Sequence, residues 1–354
     1  MKSANMKRWR RVGSACAVGV VVAAWGAAPL AGQSSAQTAA KASGSETTAR
    51  KGWTPRRTPW GDPDISGNYT NKYEQGTPFE RPQEFEGRKI EDVTSRELEA
   101  LLQRRQRNSI ERAPFNGGDP EGRIGGPAEF RDNNEITRGG RPWFVVEPPD
   151  GKIPPMTPEA QRRIAARPRG GSSFTNGPFS GPEELSLYDR CITRGFPGSM
   201  MPAIYGDSYQ IVQGPGWVGI RYEMIHETRI IPLEARPHVG KGIRLHMGDA
   251  RGHWEGNTLV VETTNFEPRS VYRNANPQTL RLVERFTPTG PGRLDWAVTV
   301  DDPSTWTRSW AFAVPLTMND SEPVFEYACH EGNYAVKNML SGSRAVERTQ
   351  QTGR

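Results

Sequence analysis

From Ser208 onward, apolar and polar residues alternate with period two, and short glycine- and proline-bearing breaks divide the alternation into segments. Period two is the spacing of a β-strand with one buried face and one wet face. The pattern predicts strands over Tyr209–Gln213, Trp217–Ile231, Thr258–Thr264, Leu280–Thr287, Arg293–Val300, Trp306–Val314 and Val324–Cys329, with a short strand ahead of Glu255-Gly256-Asn257. Gly214-Pro215-Gly216 and Thr289-Gly290-Pro291-Gly292 have the chemistry of tight turns. Successive strands joined by short turns make an antiparallel meander. So many strands would leave exposed edges unless the sheet curled, so the expected fold is mainly β and a closed or nearly closed barrel.

The N-terminal half has a different texture. A first strand is expected over Ile65–Tyr73, interrupted at Gly67-Asn68-Tyr69. Residues 75–180 are rich in Arg, Gly and Pro, and two helices stand out there. One starts at Thr94, whose capping box is closed by Glu97, and carries a stripe of Leu98, Leu101, Leu102 and Arg105. The other starts at Thr157, with Pro158 in the first helical position, and ends near Ala166 ahead of Pro168. Loops around Asn116-Gly117-Gly118 and Gly139-Gly140 read as surface wrapping. A stretch this polar holds no second large core, so residues 61–354 are expected to be one β-rich domain, with 75–180 as an elaboration and 181–345 as its β core. Residues 37–60 read as a flexible leader.

Residues 1–36 read as a cleavable signal peptide. Lys2, Lys7, Arg8, Arg10 and Arg11 precede an uncharged apolar stretch from Val12 to Leu30, and Ser34-Ser35-Ala36 offers a small-residue cut site. The competing reading is an uncleaved anchor, because the stretch approaches the ~20 residues that span a bilayer. Its Ala and Gly content and Pro29 favour cleavage, and Cys16 lies too early for a lipoprotein cysteine. Cleavage would leave no stable membrane anchor and place the protein in the periplasm or outside the cell. The whole chain carries a net charge of +6, but the first 36 residues hold five basic and no acidic ones, so the remainder has 41 basic against 40 acidic residues. That balance gives no case for nucleic acid or an anionic membrane surface as partner. The composition is silent on oligomeric state. Export would also expose Cys191 and Cys329 to oxidation, so a bridge between them is expected, with two separate buried thiols as the alternative.

Several familiar chemistries are excluded by spacing. Gly214-Pro215-Gly216-Trp217-Val218-Gly219 matches G-x-G-x-x-G, but a dinucleotide fingerprint must open a helix, and here Pro215 and a β-rich run follow. H-E-x-x-H, G-x-S-x-G and Walker patterns do not occur. No organic cofactor is expected. All five histidines lie between residues 226 and 330, and His246, Asp249 and His253 form the best metal-ligand triplet, a weak one.

The chemical signal comes from polar residues that interrupt apolar strand faces. Val218, Ile220, Tyr222 and Met224 share a face that continues to His226. Leu280, Leu282 and Phe286 share a face with Glu284, and Trp306, Trp310, Phe312 and Val314 share one with Arg308. A carboxylate buried alone is prohibitively costly, so Glu284 must be paired, protonated or wet, and Arg308 is its expected partner. One outcome is a structural ion pair beside a satisfied core histidine. The other is a cavity for one small apolar or aromatic ligand, with His226 as base, Tyr222 or Glu284 as acid and Arg308 facing developing negative charge. Lyase, isomerase or hydrolase chemistry would fit, and a non-catalytic carrier or an envelope interaction module are the alternatives. His330, Glu331 and Asp249 form a second tier.

Asp189-Arg190-Cys191, Tyr222-Glu223-Met224-Ile225-His226-Glu227, Arg236-Pro237-His238, Gly248-Asp249-Ala250-Arg251-Gly252, the run from Trp254 to Phe266, Asp301-Asp302-Pro303 and Cys329-His330-Glu331-Gly332-Asn333-Tyr334 together resemble a widespread family of secreted bacterial proteins. The resemblance covers roughly residues 180–345 and implies secretion, with no activity to carry over. The fold it implies is similar to lipocalin-like barrels, with Gly67-Asn68-Tyr69 standing where those carry G-x-W.

Overall fold

Gly216, Gly256 and Gly292 take positive φ values of 80°, 60° and 62°. That left-handed conformation is what lets neighbouring strands reverse within a tight turn. In the computed structural model of the chain each sits between a pair of hydrogen-bonded antiparallel strands. The structure describes residues 53–111, 135–166, 177–203 and 205–352. The expected signal peptide, most of the expected leader and the Asn116-Gly117-Gly118 loop lie outside the described residues.

The strands are β1 (Gly67–Thr70), β2 (Val145–Glu147), β3 (Ser208–Gly214), β4 (Trp217–Tyr222), β5 (Thr228–Pro232), β6 (Asp249–Glu255), β7 (Thr258–Thr264), β8 (Arg281–Gly290), β9 (Arg293–Asp301) and β10 (Trp310–Met318). They pair antiparallel in the order β5-β4-β3-β1-β10-β9-β8-β7-β6, and β2 shares the free side of β10 with β1. The two ends of this order meet at a glycine. A Cβ on Gly252 of β6 would sit 2.8 Å from Ile231 of β5 and 2.8 Å from Leu233, so the bare backbone lets the two edge strands close on each other. The result is a nearly closed barrel. It fits the lipocalin-like expectation in outline only, since it has ten strands where lipocalins have eight.

Alternation decides what fills the barrel. Val218 and Ile220, Leu259 and Val261, Leu282 and Phe286, Trp296 and Val298, and Phe312 and Val314 all point inward and are buried. Trp296 packs edge-on against Phe312 at 5.6 Å and lies 6.4 Å from Phe286. Gly214-Pro215-Gly216 is a hairpin between β3 and β4, as expected, and not a phosphate loop.

In the N-terminal half, α1 (Ser95–Glu111) begins at the expected capping box: the Thr94 N–H donates to Glu97 at 2.8 Å, and the Glu97 N–H to the Thr94 hydroxyl at 3.3 Å. Its Leu101 and Leu102 are buried, and Leu101 packs with Phe85 and Trp143. The second helix, α2 (Pro158–Ala165), is capped by the Thr157 hydroxyl, which accepts from the Ala160 N–H at 3.1 Å. From residue 53 on, the end of the expected leader is tied to the barrel, with Arg57 donating to Asn257 at 2.8 Å. A third helix, α3 (Ala335–Thr352), was not among the expected elements. No helix among the described residues is long and apolar enough to cross a membrane.

Three expected strands are corrected. Trp217–Ile231 is two strands, because the chain turns at Ile225 and His226, both at positive φ (58° and 44°). The strand expected from Trp306 begins only at Trp310, after a loop built on Asp302, which accepts from the Asn276 N–H, the Thr279 hydroxyl and the Ser304 N–H. Val324–Cys329 is irregular and largely exposed. The free side of β10 is already taken by β1 and β2, so no ladder is open there for a further strand.

Candidate functional site

The parity of β8 carries Glu284 inward, as expected, and its side chain is 0 % exposed. Its cation is not Arg308 but Arg229, the second residue of β5, whose side chain is 3 % exposed. Arg229 Nη2 donates to Glu284 Oε2. The other carboxylate oxygen accepts from the Trp296 indole N–H at 3.0 Å, and the Thr263 hydroxyl approaches Oε2 at 3.5 Å. The strands that flank β8 supply two of the partners, Thr263 from β7 and Trp296 from β9, and β5, from the other end of the strand order, supplies Arg229. The guanidinium carbon of Arg229 lies over the Phe196 ring, 4.0 Å from its centroid, a cation–π contact in a dry setting.

Burial pushes the Glu284 carboxyl above its ordinary range, opposed by Arg229, Trp296 and Thr263. Burial also works against the charge of Arg229, but Glu284 and Tyr222 hold its pKa above the usual value. Arg229 keeps its proton, and the carboxylate that it bonds offsets its charge inside the barrel. Tyr222, the last residue of β4, is fully buried beside it, and burial raises its phenol far above the ordinary value while Arg229 pulls it down. No well-formed hydrogen bond joins the two: the Tyr222 hydroxyl and the Nε and Nη1 groups of Arg229 have no hydrogen-bond partner among the described residues.

The polar layer continues past Tyr222. Tyr209 of β3 packs edge-on to it at 6.0 Å and donates to Asn71 at 3.3 Å. Behind Tyr209 sits Asp207, buried, accepting from Gln75 Nε2 at 2.9 Å and the Ala203 N–H at 2.8 Å. Burial pushes its carboxyl up to about 7, against those two bonds and the nearby charge of Arg194.

Phe196 belongs to the segment Thr193–Met200. It crosses the end of the barrel where β4 and β7 finish and β5 and β8 begin. Gly195, at φ 71°, lets this segment approach Ser270, whose carbonyl would sit 2.7 Å from any Cβ there. Glu227 fastens it by accepting from the Arg194 N–H and the Ser199 hydroxyl, both at 3.3 Å. Its origin is fixed by the Cys191–Cys329 disulfide, which is formed as expected and is compatible with an extracytoplasmic protein.

The other expected site residues fall elsewhere. Because the turn at Ile225 breaks the alternation, His226 is exposed outside the barrel, with Nδ1 3.0 Å from the Tyr327 carbonyl. Arg308 stands in the loop ahead of β10, 57 % exposed and 3.5 Å from Asp150. Of the four residues expected to converge, the structure brings Tyr222 and Glu284 together and leaves His226 and Arg308 apart. His330 and Glu331 are exposed in the turn after the bridge.

Asp249, His246 and His253 do not converge either. Asp249 accepts from His238 at 2.8 Å and Arg251 at 2.5 Å, His246 lies 3.8 Å from Glu267, and His253 lies 3.2 Å from Glu255. The Asp249 cluster, with Glu262 on the far nitrogen of His238 at 3.3 Å, fastens the Arg236-Pro237-His238 loop to the outer face of β6 and β7. Although partial burial raises the Asp249 carboxyl, the Val239 N–H, His238 and Arg251 hold it below the ordinary range. Among the described residues no group of three His, Cys, Asp or Glu side chains is placed to hold a metal ion.

Arg229, Trp296, Thr263 and Asp207 were not found from the sequence. Arg229 carries a usable signal, since Arg229 and Ile231 alternate against Thr228 and Ile230, but two such pairs do not say which faces in. Comparison of the chain with protein-family models, with curated proteins and with solved structures finds no match.

Proposed function

We propose that this is an exported small-molecule-binding barrel, which holds an apolar or aromatic molecule in its interior with one polar end against Arg229 and Tyr222. The observation that carries this is the set of three buried groups, Tyr222 OH and Arg229 Nε and Nη1, that make no well-formed hydrogen bond among the described residues. Buried donors are nearly always paired, and one left unpaired costs roughly 1–3 kcal/mol, so an arrangement that keeps three together is expected to receive a partner. The aromatic surroundings of Phe196, Tyr209 and Trp296 suit a flat apolar body. Export rests on the signal-peptide pattern of residues 1–36, on the disulfide and on the resemblance to secreted bacterial proteins. Entry would pass the Thr193–Met200 segment.

The test is a thermal-shift and fluorescence screen of small aromatic molecules on the mature chain, repeated on Tyr222→Phe. Hits that raise Tm and quench tryptophan, and that weaken in Tyr222→Phe, support interior binding. Hits indifferent to Tyr222, or no hits at all, count against it.

A second reading, proton-transfer catalysis, is favoured by one observation. Asp207 has a carboxyl pushed to about 7 and stands one tyrosine away from Tyr222. Carboxyls tuned to neutrality are what general acid–base catalysis uses. Under catalysis, Asp207→Asn abolishes turnover of a bound molecule and keeps its affinity. A carrier shows no turnover to lose.

A further inference from the structure

We propose that the interior site accepts a carbonyl compound as a neutral guest, and accepts an aromatic carboxylate only together with one proton, taken up on Glu284. This rests on the binding function proposed above and adds the chemical class of the guest.

Glu284 Oε2 accepts from Arg229 and the Thr263 hydroxyl, and Oε1 accepts from the Trp296 N–H and keeps one lone pair. The buried groups left over are donors: Tyr222 OH, Arg229 Nε and Arg229 Nη1. A guest must therefore bring an oxygen with free lone pairs. An amine brings hydrogens instead, and finds for them only the Tyr222 oxygen and one lone pair of Glu284 Oε1, against three donors left over.

Charge narrows the class further. With side chains 3 % and 0 % exposed, Arg229 and Glu284 cancel each other in a setting where an unbalanced charge is very costly. A ketone or aldehyde oxygen leaves that balance intact. A carboxylate adds a negative charge, and the balance returns if Glu284 takes a proton from solvent and becomes a neutral carboxyl. The groups facing Glu284 permit this. Arg229 from β5 is the charged one and Tyr222 from β4 the titratable one, while Trp296 from β9 and Thr263 from β7 are neutral donors. A guest anion would draw on the same guanidinium that now bonds Glu284 and opposes its protonation, while burial favours the protonated acid. A guest cation has no such remedy, since Arg229 cannot release its proton.

The experiment is isothermal calorimetry on the mature, disulfide-bonded protein with four probes of one size: naphthalene, 2-acetonaphthone, 2-naphthoate and 2-naphthylmethylamine. Each is measured between about pH 6 and 8 in two buffers of different ionisation enthalpy. The ketone is expected to bind at least about tenfold tighter than naphthalene, with no dependence on pH or buffer. The carboxylate is expected to lose about tenfold in affinity per pH unit, with close to one proton taken up per molecule bound. The amine is expected to bind no better than naphthalene.

Tyr222→Phe leaves the ion pair in place and should cost the ketone roughly three- to tenfold while sparing naphthalene. Equal affinity for ketone and naphthalene, or carboxylate binding without proton uptake, overturns the assignment of guest class and leaves interior binding standing. Failure of all four probes, naphthalene included, removes the binding function itself.

Discussion

Replacing Arg229 by Met removes the cation bonded to Glu284 and leaves a carboxylate at 0 % exposure among Trp296, Thr263 and aliphatic side chains. Breaking a buried pair from one side costs about 3–5 kcal/mol, because the remaining charge loses its partner and regains no water. Losing the cation–π contact with Phe196 at 4.0 Å adds roughly 0.5–2 kcal/mol. A domain is typically stable by about 5–15 kcal/mol, so Arg229→Met should stand near the edge of folding. Glu284→Leu should be comparably costly, since it strands the guanidinium. The double variant Arg229→Met with Glu284→Leu carries no charge at this site, and exchange of an ion pair for apolar side chains is often neutral or stabilising by about 1–4 kcal/mol. It should therefore recover most or all of the loss.

Urea unfolding followed by tryptophan fluorescence gives the four corners of this cycle, with comparison made at constant slope. The pH dependence supplies a second reading. In Arg229→Met the guanidinium no longer offsets burial, so the Glu284 carboxyl is raised further and holds its proton in the folded state over a wider range. Folding then binds a proton that the unfolded chain has already released, and stability should fall as pH rises above the ordinary carboxylate range. An Arg229→Met variant within about 1 kcal/mol of the wild type, or a double variant whose loss equals the sum of the singles, would show that the pair is not desolvated as described.

Other outcomes follow from the same geometry. Burial lifts Asp207 from 3.8 and Glu74 from 4.5 to about 7 each, so unfolding releases these protons between about pH 4 and 7; stability from these two groups is greatest at the acid end and falls through that window. Asp207→Asn should flatten it by roughly 4 kcal/mol, read from urea midpoints at several pH values. Replacing both Cys191 and Cys329 by Ser, across a sequence separation of 138 residues, should lower stability by about 2–5 kcal/mol in calorimetry, and an unchanged Tm would refute the constraint. Glu227→Ala removes the acceptor for the Arg194 N–H and the Ser199 hydroxyl, so hydrogen exchange should accelerate over residues 193–200 and stay unchanged in β8 and β9. Gly252→Val forces side-chain atoms onto Ile231 and Leu233 and should cost about 1–3 kcal/mol by parting β5 from β6.

Wherever one strand runs unbroken between recognisable turns, its alternation is enough to say which way each side chain points. That is why the inward placement of Glu284, and the burial of Tyr222, Phe286, Phe312 and Trp310, were legible from spacing alone. Inference failed at each irregularity. His226 follows Ile225 at φ 58°, and Arg308 stands in the loop held by Asp302; both were assigned inward by counting twos across a place where the chain is not a strand.

By itself, the sequence determined that this chain becomes a nearly closed barrel of antiparallel strands with a buried carboxylate, because period, turn chemistry and residue type are local properties. Only the tertiary structure decided what meets that carboxylate. Arg229 lies 55 residues before Glu284 and on the far side of the nearly closed barrel order, so their pairing depends on the closure of β5 onto β6. Closure sums the twist and stagger of every strand between them, and no stretch of sequence encodes that sum locally.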